Sequence, residues 1–350
     1  MYASPDRLAM GQAQHHRVCV FYSLTENSML EMEILATESL GVRGLCCFVK
    51  TRNRSILIDP GVALGYMRHK LLPHPAQVAV DEMVQKRIKD KWPQATDIII
   101  SHFHGDHVPL VDANPYQLAI AQMNTLRGGV RMWAKNPENL SSSEHKRAEN
   151  MHRCLKRGFV PAEGRNYGDL VFSNAVPHGA PGSKDTVMMT RVKDGDTFVH
   201  ASDIQLLSES AVEQIISWEP DIVLASGPPF YLQRLSRGQI EAACHNVRRL
   251  LKAVGVLILD HHVLRSEDGL RWLEMLAQTT GKLICGADFM GKPRLLLEAM
   301  RERLYQSLPV PENWHGCYAN GEATPTTQEY WDEAVRSYLY RNEAKDSMRY

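Results

Sequence analysis

Four metal-capable side chains fall within six residues of this chain, directly after an apolar run: Ile98-Ile99-Ile100 leads into Ser101-His102-Phe103-His104-Gly105-Asp106-His107. His102 and His104 are two apart, so an extended segment projects both imidazoles to one side, as a shared metal requires. Gly105 permits a sharp turn. Asp106 and His107, beyond that turn, can face a second cation beside the first. The fold must therefore end a strand at an edge where other strands deliver further donors. Carboxylate and imidazole donors suit zinc, and they also suit manganese and iron, so the ligands alone do not name the metal.

Other apolar runs end the same way. Leu45 to Lys50 and Ile56 to Ile58 read as a hairpin across Arg52 and Asn53, closing in Asp59-Pro60-Gly61. Val171 to Val176 leads to His178, Thr197 to Ala201 to Ser202-Asp203, Ile222 to Ala225 to Ser226-Gly227-Pro228-Pro229, and Val256 to Leu259 to Asp260-His261-His262. Helical stripes alternate with these runs, at Val80, Met83, Val84 and Ile88 and again at Ile240, Cys244, Val247 and Leu251. Strands alternating with helices predict an α/β protein, and such sheets gather ligands at the carboxyl ends of their strands. Ser266 is the expected N-cap of a helix with Glu267 and Asp268 in its first turn, and Pro293 the expected start of another. A terminal helix is expected to present Trp331, Val335, Tyr338 and Leu339.

Composition narrows the partners. The 350 residues carry 40 Lys+Arg against 40 Asp+Glu, which argues against a partner held by phosphate charge, such as a nucleic acid. No apolar stretch approaches the ~18 to 20 residues that span a bilayer, and no signal-like segment opens the chain. The expectation is a soluble, cytoplasmic protein with no membrane partner. The seven cysteines include no C-x-x-C pair, so neither a disulfide framework nor a thiolate zinc site is expected.

The series Asp59, His102-x-His104-x-Asp106-His107, His178, Asp203 and a late strand-end histidine resembles the five ordered motifs of the metallo-β-lactamase superfamily. The segments Glu38-Ser39-Leu40-Gly41-Val42-Arg43, Ile56 to Gly65, Gly227-Pro228-Pro229, Asp260-His261-His262 and Phe289-Met290-Gly291-Lys292 resemble, more narrowly, the mainly archaeal UPF0282 branch. That branch often carries another histidine after the Asp-His pair, where Val108 stands here.

The resemblance implies a four-layer αββα sandwich over residues 34–314, with 1–33 an N-terminal extension and 315–350 a helical extension packed on the domain. It implies that His102, His104 and His178 hold one metal, that Asp106, His107 and one of His261 and His262 hold the other, and that Asp203 bridges the two. The end of the Val256 to Leu259 run favours His261, with Asp260 as its candidate hydrogen-bond partner. Asp59 would brace the metal loop without ligating. The implied cofactor is two divalent ions, zinc first, with iron or manganese compatible with the same donors. The implied function is a metallohydrolase that directs a metal-bridging hydroxide, oriented by Asp106, at a small ester, lactone, amide or phosphodiester.

Two rival readings share the fold: an iron-dependent oxygenase and a nuclease. The first needs fewer donors than this series offers, and the second lacks a basic surplus. Ser226, Gly227 and Pro228 are expected to shape the substrate pocket. His69 and His74 are expected at the surface, and His15, His16, His145, His152, His200, His245 and His315 in structural or solvated places. Cys46 and Cys47 are expected to pack in the core. Lys292 could meet an anionic substrate or simply begin a helix in solvent. The two terminal segments could support a homodimer, although a packing role is the simpler expectation.

Overall fold

A computed structural model describes residues 29–325 and residue 332. The expected terminal helix, with Trp331, Val335, Tyr338 and Leu339, lies outside the described residues, as does most of the N-terminal extension. Among the described residues, twelve strands form two six-stranded sheets. The first sheet runs in sequence order through β1 (Glu31–Ala36), β2 (Cys46–Lys50), β3 (Ser55–Ile58), β4 (Asp97–Ile100), β5 (Arg131–Ala134) and β6 (Val160–Pro161). The second comprises β7 (Leu170–Pro177), β8 (Thr186–Asp194), β9 (Asp196–Ser202), β10 (Ile222–Ala225), β11 (Val256–Leu259) and β12 (Leu283–Ile284), again each beside its chain neighbour. Both sheets begin with antiparallel strands and continue with parallel ones, β3 to β6 and β9 to β12.

The alternation of side chains along a strand explains the layering. Cys47, Val49, Ile56, Ile58 and Ile99 join the core shared with the second sheet. Their neighbours Cys46, Phe48, Leu57, Ile98 and Ile100 join a separate core with Val80, Val84 and Ile88 of α1 (Pro75–Lys91). Val212 and Ile215 of α3 (Glu209–Ser217, after α2 at Ser142–Leu155), Val247 and Leu250 of α4 (Arg237–Ala253), and Leu270 and Leu273 of α5 (Glu267–Thr280) cover the second sheet. The result is the αββα sandwich, and Cys46 and Cys47 are both fully buried in it. No helix among the described residues is long and apolar enough to cross a membrane.

Several local expectations are corrected. Met83 and Ile240 are exposed, because the buried faces of α1 and α4 turn on Val80, Val84 and Ile88 and on Ala243, Val247 and Leu250 instead. Pro293 starts no helix. Arg294 is drawn to Asp288, and the Leu295 N–H donates to the Ser39 carbonyl, so this stretch is non-helical and passes through a turn at 297–300 before α7 (Arg301–Ser307), which follows α6 (Gly286–Phe289). His74 is wholly buried: its Nδ1 accepts the Ala76 N–H as the N-cap of α1, and its Nε2 donates to the Leu308 carbonyl at 2.8 Å. Ser266 caps α5 as expected.

Candidate metal centre

The carboxyl ends of the parallel strands meet across the two sheets. At the end of β3, Asp59 adopts a left-handed backbone with φ 47°, and at the end of β9 Ser202 does the same with φ 52°. Such conformations cost free energy in a non-glycine residue and persist where surrounding bonds over-determine them. Those bonds are present. The Asp59 carboxylate accepts the Ser101 N–H at 2.8 Å, the Ser101 hydroxyl at 2.7 Å, the Ser202 hydroxyl at 2.8 Å and His107 Nδ1 at 3.1 Å. Asp59 thus ties β3, the metal loop and the second sheet together, a place from which it can brace the loop. Gly61 supplies the room: a Cβ there would lie 2.1 Å from the Val108 nitrogen and 2.3 Å from the His107 carbonyl carbon.

These bonds also orient the imidazoles. His107 gives its Nδ1 proton to Asp59, and His102 Nδ1 lies 2.8 Å from the Ser101 hydroxyl, so each ring turns Nε2 toward a common centre. Both Nε2 atoms, and Asp203 Oδ1, are buried with no hydrogen-bond partner. Buried polar atoms are nearly always satisfied, so these orphaned atoms, with the two Nε2 atoms 3.7 and 3.6 Å from Asp203 Oδ2, fit a cation.

Donor atoms of His102, His104, His178 and Asp203 lie within 4.8 Å of one another, and so do those of Asp106, His107 and His261. Asp203 also groups with His261 and His262, which puts its carboxylate between the two sets. His262 stacks on His261 at 4.9 Å and approaches Asp203, but does not join Asp106 and His107. Of the two, His261 is the one whose donor atom groups with those of Asp106 and His107.

Burial opposes ionisation of Asp203 and Asp106, yet the surrounding histidines outweigh it and hold both carboxyls well below their usual value, with Arg265 contributing at Asp106. Burial pushes the His102 and His104 imidazoles down, which keeps them neutral as ligands must be. His107 moves the other way. Burial opposes its proton, but Asp203 and Asp59 outweigh burial and raise it to about 9.

Two expectations change. Asp260 is not the partner of His261: it accepts the Ser39 and Gly286 N–H groups and the Ser39 hydroxyl, pinning the Glu38 to Arg43 segment to the end of β11. Ser226, Gly227 and Pro228 are buried and do not wall the open cleft. The Ser226 carbonyl accepts the His262 and Val263 N–H groups, so this turn holds the late histidines in place. The cleft itself, about 400 Å³, opens beside His178 and is lined by Ser183, Gln205, Arg234 and Gln239 among others. Of the remaining histidines, His200 donates from Nε2 to the Leu45 carbonyl, and His315 bridges the Tyr116 and Tyr305 hydroxyls.

Sequence reasoning missed Arg265. Its guanidinium is buried, with Nε 2.7 Å from Glu38 Oε1, Nη1 3.2 Å from the Tyr231 hydroxyl, and Nη2 2.6 Å from His261 Nε2. The available signal was its place one helical turn after His261.

The model of the metallo-beta-lactamase superfamily matches residues 41–111, the stretch that holds Asp59 and the His102 to His107 motif. A UPF0282 protein of Methanosarcina mazei is 46% identical over 297 residues, spanning 84% of this chain and 98% of the relative. The chain belongs to the UPF0282 family. A second UPF0282 protein, from Pyrococcus horikoshii, is 36% identical over 78% of this chain and 92% of its own length. Among solved structures, an isothiocyanate hydrolase from Delia radicum gut bacteria matches 70% of this chain and 94% of its own at 14% identity, with a TM-score of 0.43. This UPF0282 chain is thus a metallo-β-lactamase sandwich with a candidate His/Asp metal cluster at the joined strand ends.

Proposed function

We propose that the chain is a metal-dependent hydrolase acting on a small ester, lactone, amide or phosphodiester, with zinc as the first candidate metal. The observation that carries this reading is that His102 Nε2 and His107 Nε2, both buried and unbonded, lie 3.7 and 3.6 Å from the carboxylate of Asp203, which groups with His102, His104 and His178 on one side and with His261 on the other. His102, His104, His178 and Asp203 would hold one cation, and Asp106, His107 and His261 a second. Divalent ions there supply an acidified water, whose pKa can fall from ~15.7 to about 7, and polarise a substrate oxygen.

The chain does the positioning. Asp59 fixes the His107 tautomer, and Ser101 that of His102. Asp106, ionised and only partly buried, would orient an attacking water through a hydrogen bond to its carboxylate. Substrate would enter by the cleft beside His178, where Gln205, Arg234 and Gln239 offer polar contacts to a small, polar or anionic molecule.

The test is elemental analysis of protein purified without added metal, joined to a panel of ester, lactone, amide and phosphodiester substrates before and after chelation. Turnover lost on chelation and restored by zinc or manganese supports the reading. Bound iron with oxygen consumption and no hydrolysis would replace it with the oxygenase.

A further inference from the structure

Arg265 Nη2 lies 2.6 Å from His261 Nε2 and 3.4 Å from Asp106 Oδ2, and those two atoms are themselves 3.4 Å apart. They are two of the three donors of the second set. A zinc ion bonded to Nε2 and Oδ2 at about 2.0 to 2.2 Å would lie within about 5 Å of this charged nitrogen, which sits against the His261 ring, 2.6 Å from Nε2 and 3.1 Å from Nδ1. A guanidinium cannot be deprotonated to make way, and like charges in a buried site repel strongly. The first set has no such obstacle: no arginine or lysine hydrogen-bonds or ion-pairs with His102, His104, His178 or Asp203 among the described residues.

Arg265 is also held in place. Glu38 accepts its Nε, the Tyr231 hydroxyl meets Nη1, and the Tyr231 ring lies 5.7 Å from the guanidinium carbon. Its partner His261 is poorly arranged to ligate, because the Gly44 N–H donates toward Nδ1 at 3.2 Å while the guanidinium lies against both ring nitrogens, 3.1 Å from Nδ1 and 2.6 Å from Nε2. A ligating imidazole normally gives its other N–H to an acceptor.

Resting on the metal-centre reading above, we infer that Arg265 is a resident cation on the second metal seat. The two seats are therefore unequal: the His102, His104, His178 and Asp203 seat fills first, and a second ion enters only by displacing the guanidinium from Asp106 and His261. Glu38 and Tyr231 keep the displaced arginine beside the centre.

Zinc titration of chelator-stripped protein, read by calorimetry and by metal content after desalting, tests this. Wild type should retain one equivalent and bind a second at least about ten-fold more weakly. Arg265→Met should bring the second affinity to within a few-fold of the first, while Arg265→Lys, which keeps a cation, should leave it closer to wild type. Because Arg265→Met strands Glu38 in the interior, the double variant Glu38→Gln/Arg265→Met, which removes both charges, is read alongside it. Two equivalents of equal affinity in wild type, or a second affinity unchanged in the folded double variant, would overturn the inference. Wild type that binds no zinc at all would sink the metal-centre reading itself, whereas one tight equivalent with no Arg265 effect sinks only the inference.

Discussion

His107 donates its Nδ1 proton to Asp59 Oδ2 across 3.1 Å, and both side chains are completely buried. This bond joins the end of β3 to the metal loop, and it turns the opposite nitrogen of the ring toward Asp203. The same carboxylate holds Ser101 and Ser202, so one side chain sets the relative position of two sheets and a candidate ligand.

Replacing Asp59 by asparagine should therefore act on metal binding more than on the fold class. An amide has one acceptor oxygen where the carboxylate has two, and at least one of the Ser101, Ser202 and His107 donors would be left unpaired in the interior. Loss of such a partner typically costs metal affinity about 10- to 100-fold, and an unsatisfied buried donor costs about 1 to 3 kcal/mol of stability. Competition with a chelator of known affinity checks the first figure and denaturant unfolding the second. An Asp59→Asn protein that binds zinc like wild type would remove the bracing role.

Gly61 makes a separate, purely steric prediction. Its φ is not positive, so alanine can adopt the backbone; what it lacks is space, since its Cβ would lie 2.1 Å from the Val108 nitrogen. Backbone on both sides must move, and overpacking of this kind costs about 1 to 3 kcal/mol or more. Gly61→Ala should lower the melting temperature and release metal together, because the displaced backbone carries His107. Melting curves with metal content measured in the same preparation would show whether the two losses coincide.

The strand ends were legible in the sequence because each couples a short β-branched run to a polar residue: β10 and β11 begin and end where the apolar runs do. The metal loop was legible because its donors are close in sequence. Contacts between residues distant in sequence were not. Asp260 adjoins His261 in the chain, yet its acceptors are turned to Ser39 and Gly286, 221 and 26 residues away. Likewise Arg265 gains its meaning only from Glu38, 227 residues earlier, which the motif around Glu38 marked without saying what it meets. His74 read as a surface residue because the carbonyl that takes its Nε2 proton belongs to Leu308, 234 residues along the chain, although its cap bond to Ala76 is local.

Asp81 gives a pH prediction away from the centre. Burial pushes its carboxyl up to about 7 against the opposing hydrogen bond from Gln85, and its Oδ1 has no hydrogen-bond partner. The folded value lies above the unfolded one of ~3.9, so the contribution to stability is fully present below about pH 4 and is lost as pH rises through 7. Asp81→Asn imitates the neutral carboxyl. It should stabilise the protein by about 1 to 3 kcal/mol at pH 8 and change little below about pH 4. Urea unfolding at both pH values measures this, and equal effects at the two would contradict it.

Asp106 separates the hydrolase from a redox rival. In the hydrolytic reading its carboxylate belongs to the second donor set and also orients the attacking water, and a positioned acid or base of this kind contributes ~10²- to 10⁴-fold in rate. Asp106→Ala should cost at least that much on whichever substrate is found, while the first seat, which does not use Asp106, keeps its metal. The substitution also removes one of the two groups on which Arg265 Nη2 rests, leaving His261 as its remaining neighbour there. A mononuclear iron oxygenase with Asp106 outside its coordination sphere leads elsewhere, to retained iron and oxygen-dependent turnover reduced only mildly. Metal content and turnover measured on this one variant decide between them, and a mild loss with one iron bound would end the hydrolase reading.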